Sequence, residues 1–393
     1  MKLPIRKHAL LSLFIAASLG GAVVADAYAQ PEPARHSKSD SKANVMYPEA
    51  TREAPKVKTS AKMGSKLQKL IDSFNKGEDF AGTRAQADEI LAASAANEAD
   101  KALAAQIAAQ SAYSMDDTAA AKTYLQQAIS LNALDNNGHY QSMLMLAQLQ
   151  LQDEEFDAGL ATLDQYMNET HTQRPEDLII KGQALYQNEK YAEAIPVLKQ
   201  AIESSPEPKD SWNQLLMAAY SDAGQTGEAV AAAEALAAKN PEDKKAQINL
   251  ASMYMQADQM DKAAAVMDKL RASGQLTEER EYKQLYSIYA NAEGHEKDVI
   301  AVVNEGVQKG ILTPDYQTYL ALAQAYYYSD DINHAIENWQ KAAPLSPNGE
   351  TYLNLARVLH SENRIPEAKD AARQALAKGV KNPADANKII NLK

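Results

Sequence analysis

The sequence predicts an all-α protein, a solenoid of about nine helical hairpins, and three observations lead there. Small residues and a proline recur at fixed distances: residues 181–208, KGQALYQNEKYAEAIPVLKQAIESSPEP, carry Gly182, Ala194, Ala201 and Pro206 at spacings that other segments repeat. The 45% hydrophobic share is rich in alanine and has no valine-isoleucine runs, the composition of helices packed closely on helices rather than of strands. Nineteen tyrosines against four phenylalanines and two tryptophans leave aromatic burial mostly to a side chain with a polar tip. At 393 residues a single core would be large, whereas an array grows by stacking and needs only neighbour contacts.

In chain order, Lys2, Arg6 and Lys7 precede an apolar run from Ala9 to Val24, and Ala27-Tyr28-Ala29 stands before Gln30. This is the three-part pattern of a secretory signal peptide, residues 1–29, with an A-x-A cleavage site. The apolar run is shorter than the roughly 20 residues a spanning helix needs and contains Gly20 and Gly21. Cleavage and release into a periplasm is therefore the expectation, with an uncleaved inner-membrane tether as the alternative, and no integral membrane segment is expected after cleavage. The absence of cysteine removes disulfides, thiolate metal ligands and a cysteine-linked lipid anchor.

Residues 30–62, with Pro31, Pro33, Pro48 and Pro55 among Ser, Lys and Glu, carry too little apolar surface to offset the entropy of ordering and read as a disordered tail. Val45-Met46-Tyr47-Pro48 is its candidate anchor segment. The formal charge of -12 becomes -14 once residues 1–29 are removed, because they hold three lysines or arginines and one acid, Asp26. The tail has seven basic and four acidic residues, a surplus of three, so the rest of the chain stands at -17. That balance, without a lysine-arginine stripe, disfavours nucleic acid as a partner.

From Gly64 to residue 382 the chain repeats. A 34-residue ruler laid from Pro175 puts Gly182 eighth, Ala194 twentieth, Leu198 twenty-fourth, Ala201 twenty-seventh and Pro206 thirty-second. Sliding it gives units starting at Gly64, Ala102, Tyr140, Pro175, Asp210, Lys244, Glu279, Tyr316 and Gly349. The eighth place is small in six units (Ala109, Ala147, Gly182, Ala251, Ala323, Ala356). The twentieth is small in eight (Thr83, Ala121, Gly159, Ala194, Ala229, Ala263, Ala335, Ala368). Two helices can cross closely only where both backbones carry little bulk, while large residues such as Leu322, Tyr326 and Trp339 fill the space toward the next helix. Pro206, Pro241 and Pro347 lie beyond the second helices, where the hydrogen-bond ladder stops. The seventh unit breaks the rule with Tyr286 eighth and Asp298 twentieth, which predicts a local widening or register shift, and a hinge, near Asp298. Residues 383–393 are expected to form a short helix that caps the last hairpin.

These spacings are identified with the tetratricopeptide repeat family. The resemblance implies a right-handed α-α superhelix whose first helices line a concave, protein-binding groove, with places two, five, nine, twelve and thirteen facing it. Place nine carries Gln110, Gln148, Gln183 and Gln324; place five carries Gln68, Gln106 and Gln214; place twelve carries Tyr113, Tyr186 and Tyr327. A row of glutamines offers donor and acceptor to the amides of an extended peptide, and the tyrosines add apolar contact with a polar tip. Glutamine is also simply a good exposed helix former, and that reading stands beside the first. The lysine, asparagine and arginine set with which chaperone-binding members of the family clamp a terminal carboxylate is missing, so a C-terminal carboxylate is a poor candidate ligand.

Reactive constellations are not found. The seven histidines (8, 36, 139, 171, 295, 334 and 360) include no i, i+4 pair, and Gly294-His295-Glu296 lacks the second histidine of a zinc helix. No phosphate loop, dinucleotide fingerprint or nucleophile elbow occurs. Acidic pairs such as Asp116-Asp117, Asp153-Glu154 and Asp330-Asp331 fall at interhelix turns, where they favour the start of the next helix. No cofactor, metal or enzymatic reaction is expected. The later units, with Gln308-Lys309-Gly310 and Ala377-Lys378-Gly379 ending hairpins, are similar to periplasmic tetratricopeptide proteins that accompany TonB systems. That resemblance implies a scaffold working with TonB, ExbB and ExbD in outer-membrane import. The competing expectation is a general scaffold for envelope assembly: outer-membrane protein biogenesis, peptidoglycan synthesis or polysaccharide export.

Overall fold

The computed structural model describes residues 45–392, and among them every regular element is a helix. In the first part of the chain α1 (Gly64–Lys76) pairs with α2 (Phe80–Ala92), α3 (Glu98–Ser114) with α4 (Thr118–Ser130), α5 (Asn136–Gln152) with α6 (Phe156–Thr170), and α7 (Pro175–Gln187) with α8 (Tyr191–Ser204). After α9 (Asp210–Asp222) and α10 (Thr226–Lys239) come the pairs α11 (Lys244–Gln256) and α12 (Met260–Ala272), α13 (Glu279–Ala290) and α14 (Glu296–Gln308), α15 (Tyr316–Tyr328) and α16 (Ile332–Leu345), α17 (Glu350–Ser361) and α18 (Ile365–Lys378). Helix α19 (Pro383–Ile390) follows. The chain forms two compact units, residues 1–219 and 220–393, with the boundary inside α9. Each is a helical solenoid of repeats, and no described helix is long and apolar enough to cross a membrane.

One turn builds most of the hairpins. Asp116, Glu154, Glu189, Gly224, Asp258, Asp330 and Asn363 all hold left-handed backbone, with φ between 57° and 74°. The residue after each donates its N–H to the carbonyl of the residue five earlier in the chain, as in Asp117 to Ala112 (2.9 Å), Glu155 to Gln150 (2.8 Å) and Asp331 to Tyr326 (2.9 Å). That bond closes the end of the first helix and satisfies carbonyls the ladder leaves open. The second helix then starts at once, often on an acid: Asp79, Asp117 and Asp331 accept from the N–H groups of Gly82, Ala120 and His334.

The helices cross on the small residues. Ala109, Ala147, Ala251, Ala323 and Ala356 at the eighth place, and Thr83, Ala121, Ala194, Ala263, Ala335 and Ala368 at the twentieth, are wholly buried. At Gly182 an added Cβ would lie 2.4 Å from Cδ2 of Leu198, so that side chain would have to shift. Gly349 is tighter still, because its Cβ would meet the backbone oxygen of Ala375 at 2.0 Å.

The seventh hairpin shows the expected register shift. Its turn runs over residues 291–295, five residues where α11 and α12 are joined by three, and it carries Gly294 at φ 81°. Val299 is thereby the fourth residue of α14 and is buried, as Ala263 is in α12, while Asp298 turns half-exposed toward the ring of His295, 2.8 Å from Nδ1. The carboxylate escapes burial by a one-residue slip.

The tail expectation is corrected. Residues 1–44, with the leader and the front of the tail, lie outside the described residues, but residues 45–62 run against the first unit. Tyr47 is buried, the N–H of Met46 donates to Oδ1 of Asn137 (3.0 Å), the N–H of Thr51 to the carbonyl of Glu169 (2.8 Å), and Ser60 to both carboxylate oxygens of Asp100 (2.8 and 2.7 Å). Composition scored the segment as too polar to order, yet polar groups with fixed partners and one aromatic anchor suffice. At the far end α19 lies on α17 and α18 through Ala386 and Ile389, with Arg357 and Asp385 paired at 2.7 Å.

Candidate protein-binding face

The nine residues expected to line a groove do not form one exposed row. On α3, Gln106 is buried at 7% exposure, and its Nε2 donates to the carbonyl of Gly138 (3.2 Å), tying α3 to the start of α5. Gln148 on α5 and Gln183 on α7 keep 5% and 8% of their surface. Gln110 and Tyr113 on α3 are half-buried, with Tyr113 against the cluster of Leu125, Leu146 and Leu149. Tyr186 on α7 is half-buried and lies 5.3 Å from the ring of Tyr191, and Gln214 on α9 is half-buried. Only α15 presents its pair: Gln324 is exposed, and Tyr327 has 39% of its surface in solvent. The exposed-row expectation is therefore corrected for Gln106, Gln148 and Gln183.

The cause is local. In α3 every residue from Ala102 to Ala109 is buried, and Ala102, Ala104, Ala105, Ala108 and Ala109 let neighbouring helices close over place five, where Gln106 stands. In α15 the sequence QTYLALAQAYYY instead puts Gln317, Gln324 and Tyr328 along one side, all exposed, with Tyr328 at 73%. The ring of Tyr327 meets those of Tyr328 and Trp339 at 5.5 Å, which fixes the aromatic pair to the core. Gln324, Tyr327 and Tyr328 share a face by the i, i+3 and i+4 rule.

A second site lies where the candidate anchor Val45-Met46-Tyr47-Pro48 meets the body, and its socket, which the sequence pattern did not mark, is fully built. Tyr47 inserts edge-on between Tyr140 (centroids 5.2 Å) and Tyr166 (5.8 Å), and the Arg174 guanidinium lies 5.7 Å from its ring centre. Arg174 holds buried Asp177 through two bonds of 2.9 Å and donates to the Tyr166 hydroxyl (2.8 Å), which itself donates to Asp177 (3.0 Å). Burial alone would lower the Arg174 pKa, but the bidentate carboxylate outweighs it, so the guanidinium stays charged. Burial pushes the hydroxyls of Tyr47 and Tyr166 up, so both remain neutral donors. Five residues beyond Tyr47, Arg52 enters a cage of acceptors: Oδ1 of Asn132 (2.8 Å) and of Asn136 (2.6 Å), and the carbonyls of Asn132 (3.2 Å) and Leu134 (2.9 Å). The readable signal was Tyr166, which holds the twenty-seventh place where Ala128, Ala201, Ala342 and Ala375 stand in other units.

Among the described residues no group of three or more His, Asp or Glu side chains could hold a metal ion. A shallow pocket of about 390 Å³ between the α11–α12 and α13–α14 turns is lined by residues 258–262 and 291–293, with no histidine, serine or threonine among them. The face and the socket are both carried by stacked helical hairpins, one on α15 and one, filled by this chain's own Tyr47, on the first unit. The chain belongs to the tetratricopeptide repeat-like family, whose model matches residues 10–218, more than half its length; a second tetratricopeptide repeat model matches residues 220–287. Tetratricopeptide repeats suggest a protein–protein interaction scaffold, and the fold is generally non-catalytic.

Solved structures of similar fold include a tetratricopeptide repeat protein from Parabacteroides merdae, 13% identical, covering 66% of this chain and 98% of that one with a TM-score of 0.41. The C-terminal part of a repeat-containing protein from Cytophaga hutchinsonii is 13% identical and covers 72% of this chain and 95% of that one at 0.43. MamA from residue 41 onward, from Desulfovibrio magneticus RS-1, is 19% identical and covers 44% of this chain and 94% of that one at 0.38. No curated protein matches the chain in sequence.

Proposed function

We propose that the chain is an exported scaffold that holds extended segments of partner proteins against the first-helix face of α15 and performs no reaction itself. The observation that carries this reading is the exposed set Gln324, Tyr327 and Tyr328, a side-chain amide beside two solvent-facing rings on one side of a helix. Such a set gives stacking and apolar contact to a bound chain while the amide pairs with its backbone. Crosslinked affinity capture from envelope extracts tests it: replacing Gln324, Tyr327 and Tyr328 by alanine abolishes recovery of the specific partners, and undiminished recovery refutes the reading.

Export rests on the leader pattern at residues 1–29. The family match starts at residue 10, inside the apolar run, which favours a retained inner-membrane tether as the second reading. The intact mass of the protein from the envelope fraction distinguishes the two. The partner class within the envelope follows from the same capture. The lysine–glycine hairpin ends that carried the resemblance to TonB-associated proteins have a structural role: Gly310 and Gly379 take positive φ, while Lys378 binds the carbonyls of Ala343 (3.1 Å) and Pro344 (2.6 Å). Recovery of TonB, ExbB or ExbD assigns the scaffold to import, and recovery of assembly machinery assigns it to envelope biogenesis.

A further inference from the structure

We propose that residues 45–52 occupy, in cis, a recognition track built to take an extended segment of another protein that carries an aromatic side chain and, five residues later, an arginine. The track lies on the first unit and is independent of the α15 face.

Three features mark it as a peptide site. The body binds the backbone of the segment as well as its side chains: Asn137 takes the Met46 N–H, the Glu169 carbonyl takes the Thr51 N–H, and Asn136 Nδ2 donates to the Arg52 carbonyl (3.0 Å). Recognition of main-chain groups together with alternate side-chain pockets is how extended segments are read. The segment forms no helix or strand, and between residues 45 and 60 Tyr47 is its single buried side chain. Residues 53–59, which join the two ends of the strap, are mostly exposed.

The socket also stands without its occupant. Tyr166, Asp177 and Arg174 are bonded to one another, and Thr172 adds a further bond to Asp177 (2.8 Å), so withdrawing Tyr47 leaves each of them with a partner. The Asn132 and Leu134 carbonyls that receive Arg52 belong to the loop between α4 and α5, one bond exposed and the other part-buried, where water can replace a guanidinium. A tethered occupant acts at an effective concentration on the order of millimolar. A partner segment therefore displaces it only when it has the same two side chains or is itself held nearby, which makes the strap a specificity filter on the track.

The test uses the full chain with a specific protease site inserted between Pro55 and Lys56, cut after purification. A fluorescent peptide of residues 45–55 is titrated onto cut and uncut protein while circular dichroism follows the helices. The proposal predicts that the cut chain releases its own segment, keeps its helices and binds the peptide saturably, with the uncut chain at least about tenfold weaker. Peptides bearing Tyr47→Ala or Arg52→Ala bind at least about tenfold more weakly than the parent. Loss of helix on release, failure to release, binding that ignores Tyr47 and Arg52, or equal binding to cut and uncut chains overturns it. So does assembly of the uncut protein into dimers that exchange the strap, since the occupant is then a second copy.

Discussion

Asp258 sits at φ 58° in the α11–α12 turn, a backbone that glycine takes without steric cost and Gly224 takes in the turn before it. The left-handed penalty of a Cβ is roughly 1–2 kcal/mol, and glycine costs roughly 0.5–1 kcal/mol of extra chain entropy. Asp258→Gly is therefore expected to raise unfolding stability by about 0.5–1 kcal/mol, and Gly224→Ala to lower it by a similar amount, both read by urea denaturation. His139 offers a pH handle. Burial, with the nearby Arg52 charge second, holds its pKa at about 4 against an ordinary 6.5. The unfolded chain thus binds the proton first, so the stability contributed by neutral His139 is complete above pH 6.5 and falls away as the pH drops toward 4. Its full size is on the order of 3 kcal/mol. Titrating the urea midpoint from pH 7 to pH 4 should show this slope, and His139→Leu should flatten it.

At the level of helices and turns, the twentieth-place rule gave hairpin crossings directly, because a small residue is required wherever two backbones meet and its spacing survives in the letters. Place nine was less legible. It adjoins the crossing at place eight, and whether it sees solvent differs from unit to unit with the packing around it: Gln148 and Gln183 are buried, Gln110 is half-buried, and α15 leaves Gln324 open. Residues 45–62 were misread for a different reason, since their partners, Asn132, Asn136, Tyr140 and Glu169, lie about a hundred residues away and no local pattern encodes them. Gly349 supplies a test of the close-packing argument. Its neighbour is a backbone oxygen, which cannot swing aside as Leu198 can beside Gly182. Gly349→Ala, at the N-cap of α17 where glycine is already preferred over alanine, is expected to cost about 1–3 kcal/mol, measured as a fall in the thermal midpoint. Were the variant as stable as the parent, the tight approach to Ala375 would be wrong.

Across the molecule, the two units carry different acid-sensitive groups. In the second, Glu305 loses to burial but gains more from Lys309 (2.6 Å), Arg271 (2.7 Å) and the Tyr282 hydroxyl (2.9 Å), which together hold its pKa at about 2. Its contribution is present above the ordinary 4.5 and is lost only as the pH falls toward 2. Amide exchange between pH 7 and pH 4 should therefore report opening of the first unit, around α5, before the second, and simultaneous opening would exclude His139 as the cause. The same division separates the two proposed working surfaces: a strap-filled track on the first unit and an open aromatic face on α15 of the second.

That open face is best tested by hydrogen–deuterium exchange on the full-length protein with and without a partner recovered by crosslinked capture. The account predicts new protection of the backbone amides at residues 316–328, with those of α3, α5 and α7 unchanged. Protection confined to other helices, or none at residues 316–328, would contradict it.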